Sequence, residues 1–108
     1  MVLLPGYRHA TDGGIDTSVG RIWKRGGTRI VYEIGGFKPD LTEGLRDVVS
    51  VTTEAFNSDK LTVITHGENQ LSVGFQNANL TAENVRTPKD ADDVLRMVKS
   101  YSSPYWPK

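Results

Sequence analysis

Runs rich in β-branched and aromatic residues predict a β-hairpin over residues 19–34. Its two β-rich runs flank Gly26-Gly27, a dipeptide that accepts the positive φ angles of a two-residue hairpin turn. Pairing across such a turn places one set of side chains on the face that packs on the core. They are Val19, Arg21, Trp23, Ile30, Tyr32 and Ile34. The same register sets Lys24 opposite Arg29, so the turn end of the hairpin is expected to face water or an anion.

The stretch from Asp40 to Phe56 carries apolar residues at helical spacing. Asp40 and Glu43 have the spacing of a capping box, which indicates a helix start. The apolar stripe that follows comprises Leu41, Leu45, Val48, Val49, Thr52, Ala55 and Phe56. Residues 48–53, however, are almost entirely β-branched, which lowers their helix propensity. The helical spacing of the apolar residues predicts a helix from Asp40 to Phe56. A strand over Val48 to Thr53 is the alternative.

A second hairpin is predicted in the middle of the chain. Leu61 to His66 and Gln70 to Gln76 are short β-rich runs around the turn-forming residues Gly67-Glu68-Asn69. The polar residues 77–86 that follow predict a connector.

A second helix is predicted near the carboxyl end. Thr87 suits an N-cap and Pro88 the first helical position, so the helix is expected to run from there to about Tyr101. Its apolar stripe comprises Ala91, Val94, Leu95, Val98 and Tyr101. Its solvent-facing side comprises Lys89, Asp92, Asp93, Arg96 and Lys99.

These elements predict an α+β fold in the order β-β-α-β-β-α. The economical arrangement is a two-layer sandwich, with a mostly antiparallel four-stranded sheet and two helices on one face. Residues 1–18 lack a sustained period and predict a turn-rich or partly disordered lead-in. At 108 residues the chain is expected to form one domain, 1–108. Residues 102–108 form a tail rich in aromatic residues and proline.

Composition limits the partners and the cellular locations that are expected for this protein. Thirteen Lys and Arg balance thirteen Asp and Glu, so no whole-molecule field draws the chain to nucleic acid or membrane. The lack of cysteine excludes disulfides and thiolate metal sites, and it favours a cytoplasmic location. Residues 1–6 lack the apolar core of a signal peptide, and no stretch approaches the roughly 20 apolar residues of a membrane span. A signal peptide that has already been removed is the alternative.

The sequence contains few residues in arrangements that are typical of catalytic sites. The two histidines, His9 and His66, have no second ligand at helical metal-binding spacing, and both are expected to be solvated. The close carboxylates are Asp92 with Asp93, on the predicted solvent face, and Asp12 with Asp16, in the lead-in. No nucleophile elbow, P-loop or dinucleotide motif is present. We therefore assign no catalytic residue, metal or cofactor, and an enzyme or toxin domain without a familiar motif is left as an alternative.

Basic residues are concentrated on the first hairpin. Four cations lie within nine residues, around Trp23: Arg21, Lys24, Arg25 and Arg29. Such a β-ribbon can hold phosphates and stack a base, each stack contributing about 1–3 kcal/mol. The competing interpretation places Trp23 in the core and leaves the cations to keep an exposed hairpin soluble. The zero net charge favours this second interpretation.

The tail places Tyr105 and Trp106 between two prolines, an extended arrangement suited to a groove on this domain or on a neighbouring subunit. Without catalytic motifs, the leading hypothesis is a non-enzymatic protein–protein interaction module, in one form a homodimer. It would present a sheet edge, the hairpin or the tail to another protein or to a second copy. A weak nucleic-acid-binding protein that uses residues 21–29 is the second hypothesis, and no membrane partner is expected.

Overall fold

The computed structural model of the chain describes residues 3–13, 17–35, 46–56, 59–75 and 78–100. Within these ranges lie seven strands and one helix. The strands are β1 (Tyr7–Gly13), β2 (Thr17–Lys24), β3 (Arg29–Gly35), β4 (Val48–Phe56), β5 (Asp59–His66), β6 (Gln70–Phe75) and β7 (Ala78–Glu83), and the helix is α1 (Pro88–Lys99). All seven strands join one sheet in the order β1-β2-β3-β7-β6-β5-β4.

The sheet is built from two antiparallel meanders. β1, β2 and β3 form the first, and β4 to β7 form the second. Antiparallel pairing of β3 with β7 joins them, with Ile30 opposite Ala82 and Tyr32 opposite Leu80. The last strand in the sequence therefore lies at the centre of the sheet, and β1 and β4 are its two edges.

One face of the sheet is covered by α1 and contains the hydrophobic core. Val94, Met97 and Val98 of the helix are buried against residues from six of the strands. The sheet contributes Tyr7, Ile22, Ile30, Tyr32, Ile34, Leu61, Leu71, Val73, Ala78, Leu80 and Ala82. We call the opposite side of the sheet the outer face.

The helix predicted from Thr87 and Pro88 is confirmed, and it ends at Lys99. Its capping box is complete: the Thr87 hydroxyl accepts from the Asp90 backbone N–H at 3.1 Å, and the Asp90 carboxylate accepts from the Thr87 N–H at 3.3 Å. The prediction that Asp93 faces solvent is wrong, because this residue is only 4% exposed. Its carboxylate accepts from the Tyr7 hydroxyl at 3.3 Å and pairs with Lys89 Nζ at 3.4 Å. Burial, together with this nearby carboxylate, raises the pKa of Tyr7.

The predicted α+β sandwich, with four strands and two helices in β-β-α-β-β-α order, is wrong. The described residues form a seven-stranded antiparallel sheet with one helix. The helix expected from Asp40 to Phe56 is replaced over residues 48–56 by β4, while residues 40–45 lie outside the described residues. The β-branched run favours an extended backbone, so the alternative that we gave for Val48 to Thr53 is confirmed. No helix in the described ranges has the length and apolarity that a membrane span requires.

Two further strands lie where no strand was predicted. The lead-in contains β1, which pairs with β2. The connector contains β7, in which Ala78, Leu80 and Ala82 are buried and alternate with Asn79, Thr81 and Glu83. The second hairpin, in contrast, is confirmed as β5 and β6 around residues 67–69.

Candidate functional site

The first hairpin is present, but its register differs from the prediction by one residue. Trp23 pairs with Arg29 and Ile22 with Ile30. The loop holds three residues, Arg25 to Gly27, because the Lys24 N–H already donates to the Thr28 carbonyl at 3.0 Å. A shift of one residue moves every side chain of a strand to the other face. The prediction that Trp23 packs in the core is therefore wrong.

The turn within this loop requires a glycine. The Gly27 N–H donates to the Lys24 carbonyl at 2.9 Å, which closes a β-turn, and Gly26 at its centre has φ +68°. Glycine adopts this left-handed conformation at no steric cost, whereas most other side chains are strained in it. Asn84 holds the loop from the side: its Nδ2 donates to the Gly27 carbonyl at 3.4 Å, and its own carbonyl accepts from the Thr28 hydroxyl at 3.3 Å. The loop is thus fixed to the end of β7.

Three residues on neighbouring strands form a line across the outer face. Arg8 on β1 pairs with Trp23 on β2, and Trp23 pairs with Arg29 on β3. Directly paired residues in antiparallel strands project from the same face. An indole is therefore flanked on each side by a guanidinium group. We call Arg8, Trp23 and Arg29 the basic row.

The basic row lines a depression of about 690 Å³ at the loop end of the sheet. Its other walls are Lys24, Arg25, Gly26, Gly27 and Asn84. Among the described residues that line it there are four cations and no carboxylate. In a concave site the field of such cations adds up and favours an anionic ligand.

Two of the four cations, Arg29 and Lys24, have contacts of their own. Arg29 pairs with Glu83 at 3.3 Å, with the two side chains 60% and 47% exposed. Exposed pairs of this kind contribute little to stability, about 0.2–1 kcal/mol, so an anionic ligand can replace the carboxylate at small cost. Lys24 sits at the rim, with its Nζ 5.9 Å from the centroid of the Tyr7 ring on the α1 side of the sheet.

Of the predicted anion-binding residues, the structure brings four together around the depression: Trp23, Lys24, Arg25 and Arg29. Arg21 lies on the same face, two residues before Trp23 along β2 and opposite Val31, and is not among the lining residues. Sequence reasoning missed Arg8, because the lead-in was not predicted to be a strand. The segment Tyr7–Gly13 shows no regular alternation of apolar and polar residues, so no sequence pattern indicated β1. The predicted partner-binding residues Tyr105 and Trp106 lie outside the described residues.

The histidines are both bonded to hydroxyl groups. His9 Nε2 lies 2.6 Å from the Tyr32 hydroxyl on the core side of the sheet. His66 Nε2 lies 2.7 Å from Ser72 Oγ, which is 3.1 Å from Thr81 Oγ1. The expectation of a solvated His66 is wrong, since this residue is 5% exposed and Ser72 is 1% exposed. A Ser–His pair could activate a nucleophile, but the Ser72 hydroxyl of this pair is buried. No cluster of three metal-ligating side chains occurs in the described ranges.

Comparison with known proteins yields no relative: no protein-family model, no curated protein and no solved structure matches this chain. The geometry of the described residues is therefore what supports a function.

Proposed function

We propose that this protein binds single-stranded nucleic acid at the basic row. The supporting observation is that Trp23 lies outside the core, between Arg8 and Arg29 and at the wall of a depression without carboxylates. The interpretation favoured by composition required Trp23 to belong to the core. Because Trp23 lies on the outer face, burial of Trp23 in the core is no longer an argument against nucleic-acid binding.

The row supplies the two interactions on which such binding depends. An indole offers a flat surface to any base, and each base–aromatic stack contributes about 1–3 kcal/mol. Guanidinium groups bind phosphate oxygens through paired, charge-assisted hydrogen bonds. Strand spacing places the two arginines about 10 Å apart. A nucleic-acid strand that crosses the sheet therefore meets a cation, an indole and a second cation in turn.

Single strands fit this site better than duplexes. The bases of a duplex are stacked on each other, whereas those of a single strand are free to stack on a protein aromatic group. The protein has no net charge, so attraction is local to the depression. Two or three phosphate contacts, at about −0.7 each for single strands, predict a slope of about −1.4 to −2.1 in log K against log salt.

The test uses a fluorescein-labelled oligothymidine of about 12 nucleotides, within the usual site size of single-strand binders. Anisotropy titration in low salt should give saturable binding. Trp23→Ala should weaken it about 5- to 150-fold, as expected for the loss of one stack. Arg8→Glu should weaken it at least about tenfold, because it removes one phosphate contact and introduces repulsion.

The matched control is Arg96→Glu. Arg96 is an exposed residue of α1, on the other side of the sheet, and its replacement changes the net charge by the same amount. Binding by this variant should stay within about twofold of the wild type, because the residue lies outside the site. Absence of wild-type binding, or an equal loss in Arg8→Glu and Arg96→Glu, would overturn the proposal.

A further inference from the structure

The β4 edge of the sheet is a second, separate surface. This strand has nine residues, and all but Phe56 are exposed. Its exposed apolar side chains include Val48, Val49 and Val51, which are 48%, 75% and 55% exposed. Among the described strands, only β5 pairs with it. An edge strand of this length presents backbone N–H and C=O groups to which another strand can pair.

The two edges of the sheet differ in how well they resist such pairing. β1 carries the charged Arg8 as its second residue, and its register shifts between Thr11 and Gly13. Charges and bulges are the features that block edge pairing. In β4 the register shift is confined to residues 48–50, and pairing with β5 is continuous from Ser50 to Phe56.

The charge on β4 also permits self-association. Glu54 is its one ionisable residue, and it pairs with Lys99 of α1 at 2.9 Å. A second copy of the strand therefore meets a single carboxylate that already has a counter-ion. The rest of the strand consists of valines, hydroxyl-bearing residues, Ala55 and Phe56, and β-branched and aromatic residues suit cross-strand contacts.

We infer that β4 pairs antiparallel with β4 of a second copy, with the twofold axis at Thr52. In this register Val51 faces Thr53 of the second copy, and Ser50 faces its Glu54, so no like charges meet. A twofold interface uses the same edge of both copies and closes on itself. Pairing of β4 with β1 would instead form an open chain and would meet the bulge of β1.

Self-pairing does not depend on the nucleic-acid site. Four strands, β3, β7, β6 and β5, lie between β2 and β4 in the sheet. Each surface can therefore be altered without touching the other.

The first experiment uses the absence of cysteine in the chain. In Thr52→Cys the two thiols would face each other across the axis, at a Cα separation of about 4.5–5.5 Å that a disulfide can span. Under mild oxidation this variant should form a covalent dimer at least about tenfold faster than Thr11→Cys, which places an exposed thiol on the β1 edge. Equal rates in the two variants would overturn the inference.

The second experiment measures mass by sedimentation velocity over a range of concentrations. The wild type should dimerise reversibly, and Val51→Lys with Thr53→Lys should stay monomeric, since lysines then oppose lysines. Val51→Lys with Thr53→Glu should dimerise again, because opposite charges then face each other. Val31→Lys replaces a half-exposed valine away from the edge and should dimerise like the wild type.

Circular dichroism verifies that each variant is folded. A wild type that is monomeric at every concentration overturns the inference. This is the result expected if another segment of the same chain covers the β4 edge. Dimers that persist unchanged in Val51→Lys with Thr53→Lys also overturn it. Neither result bears on oligothymidine binding.

Discussion

The hydroxyl group of Tyr32 reaches across a whole strand to His9. Tyr32 lies on β3 and His9 on β1, yet the hydroxyl oxygen is 2.6 Å from His9 Nε2 and the ring centroids are 5.7 Å apart. Gly20 on β2, the residue paired with Tyr32, lies between them. Because Gly20 has no side chain, the phenol ring can lie over β2. A part-buried polar contact thereby connects β1 with β3 across β2.

The first prediction concerns Gly20→Ala. A Cβ atom at residue 20 would lie less than 3.0 Å from three atoms of the Tyr32 side chain. We expect the free energy of unfolding to fall by about 1–3 kcal/mol or more, as for other overpacked sites, measured by urea denaturation. Gly27→Ala is the control, since the nearest atoms to its Cβ would be those of the Lys24 side chain, at 3.6 Å or more. Similar losses in the two variants would contradict this account of Gly20.

The second prediction concerns acid sensitivity. Burial lowers the pKa of His9 from its ordinary value of 6.5. The unfolded chain then binds this proton more readily than the folded one, so the free energy of unfolding should fall as the pH drops below about 6.5. Urea denaturation at pH 7.5 and pH 5.5 measures the decline. It should be smaller in His9→Gln than in the wild type, and equal declines would show that His9 is not its source.

The third prediction concerns the ion pair at the edge of the nucleic-acid site. Glu83→Gln removes the carboxylate that occupies Arg29. Oligothymidine binding should become tighter, by up to about fivefold, since an exposed pair contributes about 0.2–1 kcal/mol. Glu54→Gln makes the same change of charge at β4 and should leave the affinity unchanged. Anisotropy titration compares the two, and weaker binding by Glu83→Gln would argue against a phosphate contact at Arg29.

The fourth prediction concerns the start of α1. Thr87→Ala removes the side chain that accepts the Asp90 N–H. The free energy of unfolding should fall by about 1 kcal/mol, whereas Thr87→Ser, which keeps the acceptor, should change it little. Thermal or urea denaturation distinguishes them. A serine variant as unstable as the alanine variant would contradict the capping role.

Local chemistry made some elements predictable. The capping box at Thr87 and the turn residues 67–69 determine the structure over a few positions, and both predictions are confirmed. β7 escaped prediction because Asn, Ala and Glu have low strand propensity. Its central position comes from pairing with β3, which lies about fifty residues earlier in the chain. The sequence near β7 gives no indication of this pairing with a distant strand.

The prediction of a helix over the residues of β4 was wrong for a different reason from the failure to predict β7. Alternation identifies a strand when one face is buried and the other is wet. Residues 48–55 are exposed on both faces, so no such alternation was imposed, and the spacing of their apolar residues matched a helix by coincidence. The β-branched residues were the more reliable indication here.

For the site, the sequence identified most of the cations and the aromatic residue but not their arrangement. A two-residue turn was expected at Gly26-Gly27, and the loop has three residues. That difference placed Trp23 on the wrong face. Arg8 could be found only with β1, whose pairing with β2 depends on the whole sheet.

The length of the loop from Arg25 to Gly27 thus has a consequence beyond the turn itself. Inserting or deleting one residue there, with β3 held in place, would send Ile22 into water and turn Trp23 towards α1. Exchanging Arg25 for another residue would leave both orientations intact. The loop acts as a spacer whose residue count, more than its chemistry, determines whether the indole is available to a ligand.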